Sequence, residues 1–232
     1  MFRSKKQTSA NPKQRHLITK FNPKSPISEQ YRTIRTNLQF SSVDEDLQSI
    51  LVTSAGPAAG KSLTAANLAV TYAQQGLKTL LVDADLRKPT VHYTFRLNNL
   101  TGLSNVLVGS SDLEDAIETT DVDDLYVLSC GPIPPNPAEL LSSKKMRDIL
   151  REAERMYDMV IFDMPPALAV ADAKIVANIV DGSLIVVRSK TTEIDEAKRT
   201  VEMMKDAKAR LLGTILNDKE KSASNYYYYY GS

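Results

Sequence analysis

The segment Thr53-Ser54-Ala55-Gly56-Pro57-Ala58-Ala59-Gly60-Lys61-Ser62 lies between a short apolar run, 49–53, and a stretch patterned as a helix, 61–75. A glycine-bearing loop leaving a strand and opening a helix is the setting of a phosphate-binding loop. Gly60 lets the backbone curl so that successive N–H groups point at phosphate oxygens, and the helix adds its positive end. Lys61 supplies a point charge for the β- and γ-phosphates, and the Ser62 hydroxyl is suited to ligate Mg²⁺. The first glycine of the general pattern is replaced by Ala55. The nucleotide-binding candidates are therefore Gly56, Pro57, Ala58, Ala59, Gly60, Lys61, Ser62 and Leu63.

A loop of this kind needs a parallel sheet around it, and the rest of the chain supplies one. Apolar, β-branched runs at 49–53, 79–83, 125–129, 159–163, 183–188 and 213–217 alternate with helical patterns at 61–75, 103–108, 112–119, 138–156, 171–179 and 193–209. That alternation predicts an α/β fold of the P-loop NTPase kind, a parallel-rich sheet with helices on both faces, in a single domain over 26–218. With 42% apolar and 25% charged residues, the 232-residue chain has the material for a full core. One cysteine, Cys130, excludes an internal disulfide and any cysteine-built zinc or iron–sulfur site. No run of 18 or more apolar residues and no signal-peptide core occurs, which reads as a cytoplasmic protein.

Two further segments place carboxylates at strand ends, where open α/β sheets bind ligands. Leu80-Leu81-Val82-Asp83-Ala84-Asp85-Leu86-Arg87 carries Asp83 and Asp85, and Val160-Ile161-Phe162-Asp163-Met164-Pro165-Pro166 carries Asp163. A lone Asp there is commonly a turn former; three beside a phosphate loop point to metal binding and catalysis. Phosphoryl transfer rests mainly on positioning and charge stabilisation, roles that Lys61, the loop amides and Mg²⁺ held through Ser62, Asp85 and Asp163 would fill. Asp83 is left as the candidate base for an acceptor hydroxyl. Arg87 reads either as a phosphate ligand or as a brace for its loop.

Outside this body, residues 1–28 hold seven Lys/Arg and no Asp or Glu, although the whole chain is only +1. A basic arm over 1–25, read as flexible, can reach toward phosphate or an anionic membrane face, or can simply be solvated. It leads into a helix at 27–40 with Ser28 as N-cap and Glu29, Arg32 and Arg35 on one face. At the other end, 219–232 reads as a flexible tail with five consecutive tyrosines, Tyr226, Tyr227, Tyr228, Tyr229 and Tyr230. Five adjacent aromatics also suit an aggregating strand or a partner patch. Met203 and Met204 read as core filler, His16 and His92 carry no assignment, and the proline-rich 131–137 is a rigid helix entry or a groove wall.

These motifs together resemble the bacterial tyrosine kinases, specifically the free-standing cytoplasmic kind linked to capsule and exopolysaccharide synthesis. The match rests on the loop without an extra lysine, Asp83-x-Asp85-x-Arg87, Asp163-x-Pro-Pro, Glu29-x-x-Arg32-x-x-Arg35 and the tyrosine cluster, spanning nearly the whole chain. The resemblance implies a Mg-ATP-dependent kinase that phosphorylates its own tail and other proteins on tyrosine. It assigns Asp83 as base, Asp85 and Asp163 as metal-holding acids, and Glu29, Arg32 and Arg35 as the closure of a homo-oligomeric ring when unphosphorylated. It also implies a membrane-embedded, polysaccharide co-polymerase-type activator that recruits the kinase to the inner membrane face, and a cognate phosphotyrosine phosphatase, with no nucleic acid partner. Asn217, after the last strand, resembles the adenine-reading Asn of related folds. A partition-type positioning ATPase is the main rival; it carries a lysine where Gly56 stands and, in membrane-binding members, ends in a basic amphipathic helix.

Overall fold

Parallel strands buried on both faces read as continuous apolar runs, and three such runs, SILVTS, TLLVD and MVIFD, form the centre of the molecule with every residue buried. The computed structural model describes residues 17–40 and 47–220. In chain order the elements are α1 (Ile18–Phe21), α2 (Pro26–Phe40), β1 (Ser49–Ser54), α3 (Lys61–Ala73), β2 (Thr79–Asp83), α4 (Val91–Phe95), α5 (Leu103–Val108), α6 (Leu113–Ala116), β3 (Ile117–Thr119) and β4 (Leu125–Leu128), followed by α7 (Pro137–Ser142), α8 (Lys144–Met156), β5 (Met159–Asp163), α9 (Asp172–Ala177), β6 (Gly182–Arg188), α10 (Ile194–Asp206) and β7 (Leu211–Asn217). The seven strands lie in the order β3-β4-β2-β5-β1-β6-β7, and every pairing is parallel except β3 with β4.

One face of the sheet is covered by α3, whose Leu68 and Tyr72 pack against Ile50, Leu81 and Ile161. The other is covered by α5, α8, α9 and α10, through residues such as Val106, Ile149, Val176 and Met204. Met204 is fully buried and Met203 packs beside it, so both serve the core as expected. Among the described residues no helix is long and apolar enough to cross a membrane.

Four local expectations are corrected by competing interactions. The helix expected over 112–119 stops at Ala116, because Ile117–Thr119 pairs antiparallel with the free edge of β4. The single helix expected over 138–156 breaks at Ser143, which is extended and accepts from the Met146 amide as the N-cap of α8. Ser28 is not the N-cap of α2. Ser25 takes that place, its Oγ accepting from the Ser28 amide at 3.1 Å with Pro26 opening the helix, while the Ser28 hydroxyl donates back to the Asn22 and Ile18 carbonyls. Finally, residues 17–25 do not belong to a flexible arm. Leu17 is buried against the α3 side of the core, and Thr19 donates through backbone and hydroxyl to Asn67 Oδ1.

Candidate active site

The phosphate loop runs from Ala55 to Gly60, between β1 and α3, at the carboxyl edge of the sheet. Two residues take the left-handed backbone that curls it, Ala58 at φ 60° and Gly60 at φ 94°. At Gly60 glycine is obligatory twice over: the φ disfavours a side chain, and an added Cβ would lie 2.1 Å from Asn217 Nδ2. That Asn217 nitrogen donates to the Ala59 carbonyl at 2.9 Å, so the end of β7 holds the loop's shoulder. The Ser54 hydroxyl donates to the Gly56 carbonyl, and Thr53 donates to Pro165, tying the loop to the segment after β5. Pro57 and Ala58 are exposed, Ala59 and Ser62 buried, and Leu63 half-buried on the first turn of α3. A Cβ added at Gly56 would meet nothing within 4 Å.

The three acids converge on Lys61. Its Nζ lies 3.0 Å from Asp85 Oδ2, 3.3 Å from Asp163 Oδ1 and 3.3 Å from Ser62 Oγ. Asp83 and Asp163 end adjacent strands in direct register, which sets two buried carboxyl groups side by side. Asp83 Oδ2 accepts from the Thr90 and Val91 amides, each at 2.9 Å, whereas Asp83 Oδ1 and Asp163 Oδ2 are buried with no partner. Burial first, and then the Asp163 charge, push the Asp83 carboxyl up to about 7 against the pull of the two amides and Lys61. Burial also raises Asp163, with Lys61 opposing. For Lys61 burial works against the charge, but Asp163 and Asp85 outweigh it and the ammonium is held above its ordinary range.

A single lysine charge thus faces three carboxyl groups, two of which keep an orphaned oxygen. Among the described residues no group of three or more His, Cys, Asp or Glu is arranged as a metal cage. The donor set suits Mg²⁺ delivered with a nucleotide: a hydroxyl, one or two carboxylates, and the remaining positions left to phosphate and water.

The other expected residues are placed less uniformly. Arg87 is engaged by Asp172, its Nε and Nη2 donating to Asp172 Oδ2 and Oδ1 at 2.8 and 3.0 Å. Of the two readings left open for Arg87, this geometry is that of a brace. Glu29 and Arg32 pair on the outer side of α2, but Arg35 Nη1 donates to the Thr71 carbonyl of α3 at 2.6 Å. The expected single stripe fails because three residues advance a helix by about 300°, so Glu29 and Arg35 stand about 120° apart. Tyr226 to Tyr230 lie outside the described residues. Asp172 and the Thr90 and Val91 amides were missed by sequence reasoning: an Asp at a helix start resembles any first-turn acid, and backbone donors leave no mark in a sequence. Cys130 is buried and its thiol is pushed up to about 12, chiefly by burial and then by Asp83 and Asp85.

A family model described as an AAA domain matches residues 27–216. Over 219 residues the chain is 55% identical to tyrosine-protein kinase YwqD of Bacillus subtilis (strain 168), covering 94% of this chain and 92% of YwqD. Among solved structures, the chimerical protein CapA2B2 superposes with a TM-score of 0.86 at 46% identity, over 90% of this chain and 92% of that one. The septum site-determining protein MinD from Pyrococcus horikoshii OT3, complexed with Mg-ADP, superposes with a TM-score of 0.65 at 25% identity, over 76% and 72%.

Proposed function

Because the chain belongs to the bacterial tyrosine-protein kinases, we propose that its phosphate loop binds Mg-ATP and that Asp83 is the base for the acceptor tyrosine. The observation carrying this reading is the division of labour within the Asp83 carboxylate. Oδ2 is fixed by two amides, Oδ1 is buried and unpartnered, and burial and then Asp163 push the carboxyl up to about 7. That is the condition for taking a phenolic proton at physiological pH.

The loop amides and the α3 N-terminus bind the phosphates, and Lys61 turns from Asp85 and Asp163 toward the β- and γ-oxygens. Ser62, Asp85 and Asp163 would hold Mg²⁺, which supplies neutralisation of the charge developing on the phosphate oxygens. The phenolic oxygen attacks the γ-phosphorus, the bond from that phosphorus to the β,γ-bridging oxygen breaks, ADP leaves, and Asp83 Oδ1 takes the phenolic proton. Asn217 reads the adenine, its Nδ2 committed to Ala59 and its Oδ1 left to accept from the base's amino group.

The acceptors include the tyrosines of the tail, Tyr226 to Tyr230, and other proteins. Nine peptide steps at about 3.3 Å separate Asn217 from Tyr226, a reach of roughly 30 Å that suits transfer to the tail of a neighbouring copy. Unphosphorylated copies assemble as a ring through Glu29 and Arg32, with Arg35 bracing α2 on α3. Each phosphotyrosine then adds about −1.5 to −2 charges beside three acids and ATP, which ejects the tails and loosens the ring. A membrane-embedded activator, a cognate phosphatase and a role in capsule or exopolysaccharide synthesis complete the proposal.

Wild-type kinase mixed with Lys61→Met protein tests it. Lys61→Met alone is expected to bind ATP weakly and to show no phosphotyrosine, yet to become phosphorylated on its tail when wild type is present. The phosphorylated species should have a monomer's mass in light scattering. A tail modified solely within its own chain would overturn transfer between copies.

A further inference from the structure

The carboxylate of Asp172, the first residue of α9, is fully buried, and its charge is met by the Arg87 fork through two parallel bonds. Arg87 itself keeps 39% of its side chain exposed. Burying such a pair gains little stability over an apolar pair of the same volume, whereas a planar fork on a carboxylate fixes direction. The pair is also well placed to fix something. Arg87 sits in the segment 84–91, whose Lys88 amide donates to Asp85 Oδ1 and whose Thr90 and Val91 amides donate to Asp83 Oδ2. Asp172 sits on the segment leaving β5, which ends in Asp163. The two segments are joined at their base by the Ala84 amide donating to the Asp163 carbonyl at 3.0 Å. The Arg87–Asp172 fork joins them a second time, farther out. A segment pinned at two points presents its carboxylates in one orientation.

We propose that Asp172 is a positioning residue for phosphoryl transfer: through Arg87 it fixes the 84–91 segment, and with it the carboxylates of Asp83 and Asp85, without touching ATP or the acceptor tyrosine. The proposal rests on the kinase reading for its rate consequences and on geometry alone for its structural ones, so the test reads both. Asp172→Asn, Arg87→Gln and the double variant are compared with wild type for kcat and KM for ATP, using a tyrosine peptide as acceptor. Hydrogen exchange is measured at the amides of Lys88, Thr90 and Val91, with Ile161 in β5 as reference. Each single variant is expected to lose about tenfold in kcat with KM for ATP within about twofold, and the double variant to lose about tenfold rather than a hundredfold. The three amides should exchange at least about tenfold faster while Ile161 is unchanged. Arg87→Lys should stay as slow as Arg87→Gln, because a point charge cannot replace a fork.

Multiplying losses, or a raised KM confined to the Arg87 variants, would mean that Arg87 acts on phosphate independently of Asp172 and would overturn the proposal. Unchanged exchange at the three amides would overturn it equally. If Asp172→Asn does not fold, the two single Arg87 variants, at a part-exposed position, carry both readouts. Faster exchange in the variants of a wild type that makes no phosphotyrosine would sink the kinase reading and leave the brace standing.

Discussion

The two edges of the sheet bury acids in opposite ways. At the amino edge, where β1 and β6 begin, the half-buried Asp181 Oδ2 accepts from the Gln48 amide, the Ser49 amide and the Ser49 hydroxyl at 2.8 to 3.0 Å. At the carboxyl edge, Asp83 Oδ1 and Asp163 Oδ2 are more deeply buried and accept nothing, with Lys61 the near cation for three carboxyl groups. A saturated carboxylate ties backbone segments together; an unsaturated one keeps capacity for a proton, a metal or a lysine that must move. The same residue type thus serves architecture at one edge and chemistry at the other, and what separates the two is whether a buried oxygen is left without a donor.

The strongest way to break that contrast is to neutralise Asp83. Asp83→Asn keeps an acceptor for the Thr90 and Val91 amides but cannot take the phenolic proton, so kcat should fall by about 10² to 10⁴ while ATP affinity stays within about threefold. In the wild type, kcat/KM for the acceptor should rise with pH and level off above about 7, where the carboxyl is ionised. Stability should run the other way. The folded carboxyl holds its proton up to about 7 and the unfolded one to about 4, so wild-type stability falls as pH rises through that window. Asp83→Asn is free of this loss and should melt higher than wild type at pH 8, with the difference gone below about pH 4. An active enzyme that loses stability on this change would place Asp83 with the saturated acids instead.

Much of the carboxyl edge was legible in advance because its chemistry is written in short, ordered motifs. Lys61, Ser62, Asp83, Asp85 and Asp163 each follow or end an apolar strand, and the structure gathers all five. The parallel-rich sheet, the two-sided core and the burial of Met204 also followed from pattern. Much of what was not legible depends on partners distant in sequence. Arg87 pairs with Asp172, 85 positions along, and Arg35 leaves its stripe for a carbonyl of α3; the caps at Ser143 and Ser25 are local, but which of several nearby serines takes the cap is set by how the chain enters the helix. Whether an aspartate's oxygens are saturated is likewise invisible in a sequence, since most of the donors are backbone amides.

At the amino edge the expectation is a loss of stability without a loss of chemistry. Asp181→Ala removes the shared acceptor of three donors, one of them the buried hydroxyl of Ser49. Thermal unfolding should show a cost of about 2–3 kcal/mol, a fall of roughly 5–10 °C. At a temperature where the variant is folded, kcat should stay within about twofold. A tenfold drop in kcat per folded molecule would show that the two edges are coupled and that saturation does not separate their roles.

Asn217 sharpens the comparison because it combines both conditions in one side chain at the carboxyl edge. One N–H of its Nδ2 is taken by the Ala59 carbonyl, the architectural half, and its Oδ1 is the acceptor assigned to the adenine amino group. Guanine carries a carbonyl at that position, which would face Oδ1 oxygen to oxygen, so the fixed amide should favour ATP over GTP. Asn217→Ala removes both halves. Losing the bond to Ala59 should weaken both nucleotides alike, by about threefold, since a neutral hydrogen bond is worth roughly 0.5–1.5 kcal/mol. Losing the acceptor should weaken ATP alone and so lower the ATP-to-GTP affinity ratio by about tenfold, or about 1.4 kcal/mol. Titration of both nucleotides into wild type and variant separates the two. If the ratio stays constant while both affinities fall, Asn217 is wholly a brace for the loop, and base selection lies elsewhere at the carboxyl edge.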